Sequence, residues 1–101
     1  MLKKMKTNYL ETIREIIVKE LAEENVSIAL FGSFAAGTNT EVSDIDIAII
    51  PKGELKRWKL SLLREKLEEM AIPYVVDVVD FSNVSESFRN TALKNVLWWR
   101  V

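Results

Sequence analysis

The sequence holds no cysteine and no histidine among its 101 residues. Without cysteine there is no disulfide, no thiolate zinc site and no thiol nucleophile. Without histidine there is no Ser-His-Asp triad, no imidazole metal ligand and no imidazole general base. Chemistry must therefore rest on carboxylates, hydroxyls, amines, guanidinium groups and the backbone. Glycine and proline are scarce, at three and two. Charge of one sign is also missing: 14 basic residues face 15 acidic ones, for a net charge of −1. That balance excludes the strongly basic field of a dedicated nucleic-acid binder, so no direct nucleic-acid contact is expected. No apolar run approaches the roughly 20 residues of a membrane span. The start of the chain, with Lys3, Lys4 and Lys6 followed by Glu11 and Glu15, does not read as a signal peptide. A cytoplasmic protein with no membrane contact is the expectation.

Apolar residues make up 49% of the chain, enough for a core without covalent staples. The length suits one domain, read here as 1–101. Leu10, Ile13, Ile17 and Leu21 recur at helical spacing and predict a helix over 8–24, with Asn8 and Glu11 as a capping box. VSIALF at 26–31 predicts a strand. Residues 32–43 form a Gly-, Ser-, Thr- and Asn-rich connection with a short helical turn around 33–36. DIDIAII at 44–50 predicts a buried strand. A second helix is expected over 54–71, with Leu55, Trp58, Leu62, Leu67 and Met70 on its inner side. YVVDVVD at 74–80 reads as a strand. Asn83 and Glu86 resemble another capping box, opening a helix that ends near Leu93. VLWWRV predicts a last strand in which Trp98 and Trp99 face opposite ways, one inward and one exposed. The order αβ(turn)βαβαβ implies an α/β (α+β) domain with one mixed sheet and helices mainly on one face.

Two features fall within fifteen residues. Gly32-Ser33 follows a strand directly, and Asp44-Ile45-Asp46 opens the next; ten residues lie between Ser33 and Asp44. In a strand, residues i and i+2 project from one face. Asp44 and Asp46 can thus aim at one point, where they repel unless a cation intervenes. Oxygen ligands alone suit Mg²⁺ or Mn²⁺, and Mg²⁺ is commonly shared between carboxylates and substrate phosphates. Gly32 permits a tight turn whose N–H groups bind anions, and Ser33 adds a hydroxyl. Asp77, placed mid-strand among apolar residues, is the preferred third carboxylate; Asp80, at the strand end, suits capping. Ser43, beside the pair, is a further candidate. The alternatives are plain: a solvated strand start for the aspartates, an N-cap for Ser33 and turn chemistry for Ser43.

Gly32-Ser33, ten residues and Asp44-x-Asp46 resemble the signature of DNA polymerase β-like nucleotidyltransferases. The stretch GSFAAGTNTEVSDIDIAII resembles their shortest subgroup, the minimal nucleotidyltransferase (MNT) domains, and VVDVVDF matches the strand that carries the subgroup's third carboxylate. The resemblance implies the nucleotidyltransferase fold and two Mg²⁺ ions held by Asp44, Asp46 and Asp77. It implies a nucleotide, ATP, bound by Gly32, Ser33 and Ser43. It further implies AMP transfer to a hydroxyl of a helical HEPN partner protein, with this chain as the antitoxin of a toxin–antitoxin pair. One departure stands out: many members carry a basic residue where this chain has Ala36, which either weakens nucleotide binding or is made good by Lys52 or another cation. Two other readings remain. The domain could block its partner sterically without catalysis, or act on a small acceptor in a pocket completed by a homo-oligomer.

Overall fold

The computed structural model describes residues 2–38 and 44–101, with side chains from Tyr9 onward. Ser43 and the turn residues Asn39 and Thr40 lie outside the described residues, as do the side chains of Lys3, Lys4 and Lys6.

Helix α1 spans Leu2–Glu20 and leads into strand β1, Val26–Phe31. A single-turn helix α2, Ser33–Ala36, follows, and then strand β2, Ile45–Pro51. Helix α3 covers Arg57–Glu69 and strand β3 Val76–Asp80. After a 3₁₀ turn at Phe81–Asn83 come helix α4, Glu86–Ala92, a second 3₁₀ turn and strand β4, Leu97–Arg100.

Among the described residues the strands form one mixed sheet in the order β3-β2-β1-β4. β2 is antiparallel to β1, β1 is antiparallel to β4, and β2 is parallel to β3. The parallel pair needs a crossover, which α3 supplies. β1 and β2 are central and largely buried on both sides, so apart from Ser27 and Asp46 they read as apolar runs.

Alternation along the strands divides the core in two. Ile28, Leu30, Ile45, Ile47, Ile49 and Val78 meet α1 and α3 on one face, through Ile13, Ile17 and Leu21 and through Leu60, Leu63 and Leu67. On the other face Ala29, Phe31, Ala48 and Ile50 pack with Phe81, flanked by Ala92 and Leu93 at the end of α4. The two long helices thus cover one face, and the opposite face is covered only in part. Arg100 locks the last strand to the first helix. Its guanidinium donates to the Leu21 and Glu24 carbonyls, both at 2.6 Å, in the turn that follows α1, where each carbonyl also accepts one backbone N–H.

Four local expectations need correction. Asn8 does not cap α1, because the helix starts at Leu2 and runs through it. Asn83 does not cap α4; the Ser85 hydroxyl accepts from the Phe88 N–H at 3.1 Å, while Asn83 ends the preceding 3₁₀ turn. Tyr74 and Val75 precede β3 rather than belonging to it. The inner side of α3 is Leu60, Leu63 and Leu67, whereas Trp58 and Leu62 are exposed. Trp58 stands two residues from Leu60, about 200° round the helix at roughly 100° per residue. The tryptophan pair divides as expected: Trp99 packs on the α1/α3 core and Trp98 is 46% exposed.

Candidate active site

The register sets the site. β2 pairs Asp46 with Phe31 of β1 on one side and with Asp77 of β3 on the other. Phe31, Asp46 and Asp77 therefore form a row across three strands. Period-two alternation puts this row on the face opposite the long helices, the thinly covered one. Asp44 lies just before β2 and is exposed; by the same alternation it follows Asp46 on that face. Asp77 is also exposed, since β3 is an edge strand. It is not enclosed by its apolar neighbours, because those point to the covered side or lie along the edge. Asp46 is half-buried and carries the electrostatic load: burial pushes its carboxyl above the usual carboxylate range, and the Asp77 and Asp44 charges push it the same way.

Gly32 fits against this carboxylate. Its φ of 76° and ψ of −154° belong to a region that only glycine adopts readily. A Cβ at this position would strike the Asp46 carboxylate, so the absent side chain is what lets the β1–α2 corner close over Asp46. Ser33 is the first residue of α2 rather than its cap, because Gly32 occupies the cap position. Amides in a helix's first turn have no acceptor within the helix, so the Ser33 N–H and hydroxyl stand together at this corner. Gly37 ends the turn in the left-handed conformation, with φ 77°, and its N–H donates to the Ser33 carbonyl.

Two expected participants sit elsewhere. Asp80 accepts from the N–H and hydroxyl of Ser82, at 2.9 and 2.7 Å, and caps the 3₁₀ turn as its position suggested. Lys52 follows the far end of β2, where its ammonium donates to the Val101 carbonyl at 2.9 Å. Six residues of extended chain put it about 20 Å from Asp46, so it does not replace the basic residue missing at Ala36.

Among the described residues, no group of three or more acidic side chains is gathered closely enough to hold a metal ion as placed. The chemistry of the donor set nonetheless fits a hard divalent cation. It is all oxygen, it lies on one face, and at its centre is a carboxylate whose charge its neighbours oppose. Asp44 and Asp77 are exposed side chains that can rotate toward it.

Sequence reasoning missed a cavity of about 300 Å³ at the Phe31 end of the row, lined by Phe31, Gly32, Ala36, Phe88, Thr91 and Asn95. Nothing in the spacing of these residues announces it, because only the fold brings 31–36 to 88–95. At the other end, Asp77 lines a cavity of about 360 Å³ with Arg64 and Tyr74. Arg64 donates to the Val78 carbonyl at 2.7 Å and covers part of the open β3 edge. No described helix is long and apolar enough to cross a membrane.

Residues 11–98 match the family model described as polymerase beta, nucleotidyltransferase. A Haemophilus influenzae protein named probable protein adenylyltransferase MntA is 33% identical over 81 residues, which span 77% of this chain and 71% of the relative. A chain in a crystal structure of a toxin–antitoxin with AMP-PNP superposes with a TM-score of 0.65 at 29% identity, covering 85% of this chain and 71% of that one. A chain in a complex of a tri-AMPylated Shewanella oneidensis HEPN toxin with its MNT antitoxin gives 0.61 at 25% identity, covering 88% and 70%. With the Gly-Ser corner, the paired aspartates and the mixed sheet all in place, the chain belongs to the polymerase beta nucleotidyltransferase family, and its likeness within that family is to the MNT domains.

Proposed function

We propose that this protein transfers AMP from ATP to a hydroxyl of a HEPN-type helical partner, as the antitoxin of a toxin–antitoxin pair. The observation that carries the proposal is the row of Asp46 and Asp77 on one open sheet face, with Gly32 closed against Asp46. The relatives support the acceptor class: one is named as a protein adenylyltransferase, and one solved neighbour is a complex with an AMPylated HEPN toxin.

Asp44, Asp46 and Asp77 would hold Mg²⁺, or Mn²⁺ in its place. Bound there, the metal would supply positive charge to the triphosphate and lower the pKa of the attacking hydroxyl. The remaining work falls to the chain itself. Asp46, pressed between two like charges, has its ionised form favoured as soon as positive charge arrives. Ser33, with its amide and hydroxyl at the Gly32 corner, binds the outer phosphates and fixes the leaving group. Ser43 is assigned a supporting nucleotide contact on the connection before Asp44. Asp77, at the open β3 edge, faces the side from which a bulky acceptor can approach, and its carboxylate oxygen accepts the acceptor's proton. The hydroxyl oxygen attacks the α-phosphorus, the bond to the bridging oxygen breaks, and pyrophosphate departs. Positioning and electrostatics supply the rate enhancement.

A second reading has one observation behind it. Leu97 and Trp98 expose apolar surface on the edge strand β4, as a domain that binds a partner sterically would. Incubating the chain with its proposed HEPN-type partner, Mg²⁺ and ATP radiolabelled at the α-phosphate separates the readings. Label on the partner supports transfer. A tight complex that inhibits the partner without labelling it would replace transfer by steric blocking. Label only on an added small alcohol would move the acceptor class to small molecules.

A further inference from the structure

We propose that this protein forms a two-fold dimer through the β4 edge, with β4 of one copy pairing with β4 of a second and the two α1 helices side by side. The two edges of the sheet differ. β3, at one edge, carries Asp77 and Asp80, and the Arg64 guanidinium occupies its Val78 carbonyl. Charges and a covered carbonyl keep another strand from pairing there. β4, at the other edge, reads Leu97-Trp98-Trp99-Arg100, and its one charge is engaged by the Leu21 and Glu24 carbonyls. Leu97, Trp98 and Val101 are 54%, 46% and 82% exposed. Among the described residues no strand pairs with the outer side of β4. An open, apolar, uncharged edge is a template for a further strand.

The occupant follows from symmetry. Leu97 pairs with Leu30, and Trp99 packs on the α1/α3 core, so both lie on the helix face; Trp98 pairs with Ala29 on the other face. Two copies of β4 can pair antiparallel about an axis through Trp98, perpendicular to the sheet. Both helix layers then stay on one side. Leu97 of each copy stands beside Trp99 of the other, and the two Trp98 side chains stand beside each other on the opposite face. Apolar cross-strand pairs of this kind stabilise antiparallel strands.

A strand of four residues, roughly 13 Å long, is too short to supply a stable interface by itself. Such an interface buries about 1,000 Å² or more. α1 supplies the rest. Glu11, Arg14, Glu15, Val18, Lys19 and Ala22 border a groove of about 460 Å³ closed on the sheet side by Trp99. Among the described residues none of these four charged side chains makes an ion pair. Glu11 and Glu15 stand toward the start of the row and Lys19 toward its end. A two-fold axis reverses the second helix, so the acidic end of each row meets the basic end of the other. The surface is complementary to itself, as an isologous contact requires. The joined sheet has the order β3-β2-β1-β4-β4-β1-β2-β3. Each Asp77 stays on an open outer edge, with about 34 Å between the two by strand spacing, so pairing leaves both candidate active sites free.

Sedimentation velocity over a concentration series, with neither nucleotide nor partner present, tests the interface. Wild type should pass from 11.6 kDa to twice that mass as concentration rises. Trp98→Lys should raise the dimer dissociation constant about thirty-fold or more, with a circular dichroism spectrum that remains folded. Lys19→Glu, on the exposed side of α1, should raise it about ten-fold, because the symmetry counts each charge pair twice. Adding Glu11→Lys to Lys19→Glu should restore dimerisation. In a chain with no native cysteine, Trp98→Cys should give a disulfide-linked dimer on oxidation, and Leu62→Cys, exposed on α3, should not. A wild type that stays at 11.6 kDa at every concentration overturns the proposal. So does a dimer that neither Trp98→Lys nor Lys19→Glu weakens, or one that cross-links through Leu62→Cys instead of Trp98→Cys. A monomer whose Trp98→Lys variant loses binding to the HEPN-type protein overturns it as well, and gives the β4 edge to that partner.

Discussion

Replacing Asp46 by Asn should stabilise this protein while destroying its activity. Asp46 sits one strand from Asp77 and two residues from Asp44, half-buried, with its pKa raised by burial and by both neighbouring charges. A raised folded-state value for an acid means that the folded protein holds the proton more tightly than the unfolded chain does. The ionised form therefore costs stability. The cost is absent below the ordinary value of 3.8, appears as pH rises through the raised value, and is complete at neutral pH. Its ceiling follows from Coulomb's law: two charges about 5 Å apart at an effective dielectric of about 20 repel by about 3 kcal/mol. Asp44 and Asp77 are exposed, so solvent and salt reduce this to about 1 kcal/mol. In a domain of this size that is about 4–8 °C in Tm. Thermal melts of wild type and Asp46→Asn, run without divalent cations from acid to neutral pH, check the reasoning. The variant should melt higher at pH 7.5, and the gap should close toward acid. Mg²⁺ should raise the wild-type Tm and leave the variant's unmoved. A variant that melts at or below wild type at neutral pH, with a gap independent of pH, would refute the electrostatic account.

Two further predictions concern the backbone. Gly32→Ala puts a Cβ into the Asp46 carboxylate from a conformation that costs a non-glycine residue about 1–3 kcal/mol, so both Tm and nucleotidyl transfer should fall; wild-type transfer in this variant would show that the corner is not needed. Ala71, just past the end of α3, holds a φ of 51°, where an L-residue pays about 1–2 kcal/mol; Ala71→Gly should raise Tm by a few degrees without changing AMP-PNP affinity, and a lower Tm would refute it.

The central part of the fold was legible because it is bounded chemically. VSIALF is an apolar run, interrupted only by Ser27, between Asn25 and Gly32, and β1 has those limits. Period two put Asp44 and Asp46 on one face, and the register adds Asp77 at the same height. What failed did so for identifiable reasons. On α3 the apolar bulk of Trp58 and Leu62 masks the regular Leu60, Leu63, Leu67 stripe that the core selects. Asn8 and Asn83 have the spacing of capping boxes, but spacing alone cannot show whether the helix extends further back or whether Ser85 competes for the cap. Lys52 has the right charge, yet the direction of β2 carries it to the other end of the sheet. The cavity at Phe88 was illegible because its walls are far apart in sequence and meet only through the pairing of β1 with β2 and the return of α4.

The measurement that tests the central claim most directly compares ATP radiolabelled at the α-phosphate with ATP radiolabelled at the γ-phosphate, in the presence of Mg²⁺ and the HEPN-type partner. The account predicts that the partner takes label from the α position only, and that Asp44→Ala, Asp46→Ala and Asp77→Ala each abolish it while remaining folded. Label from the γ position, or full α-labelling in any of the three variants, would contradict nucleotidyl transfer at this site.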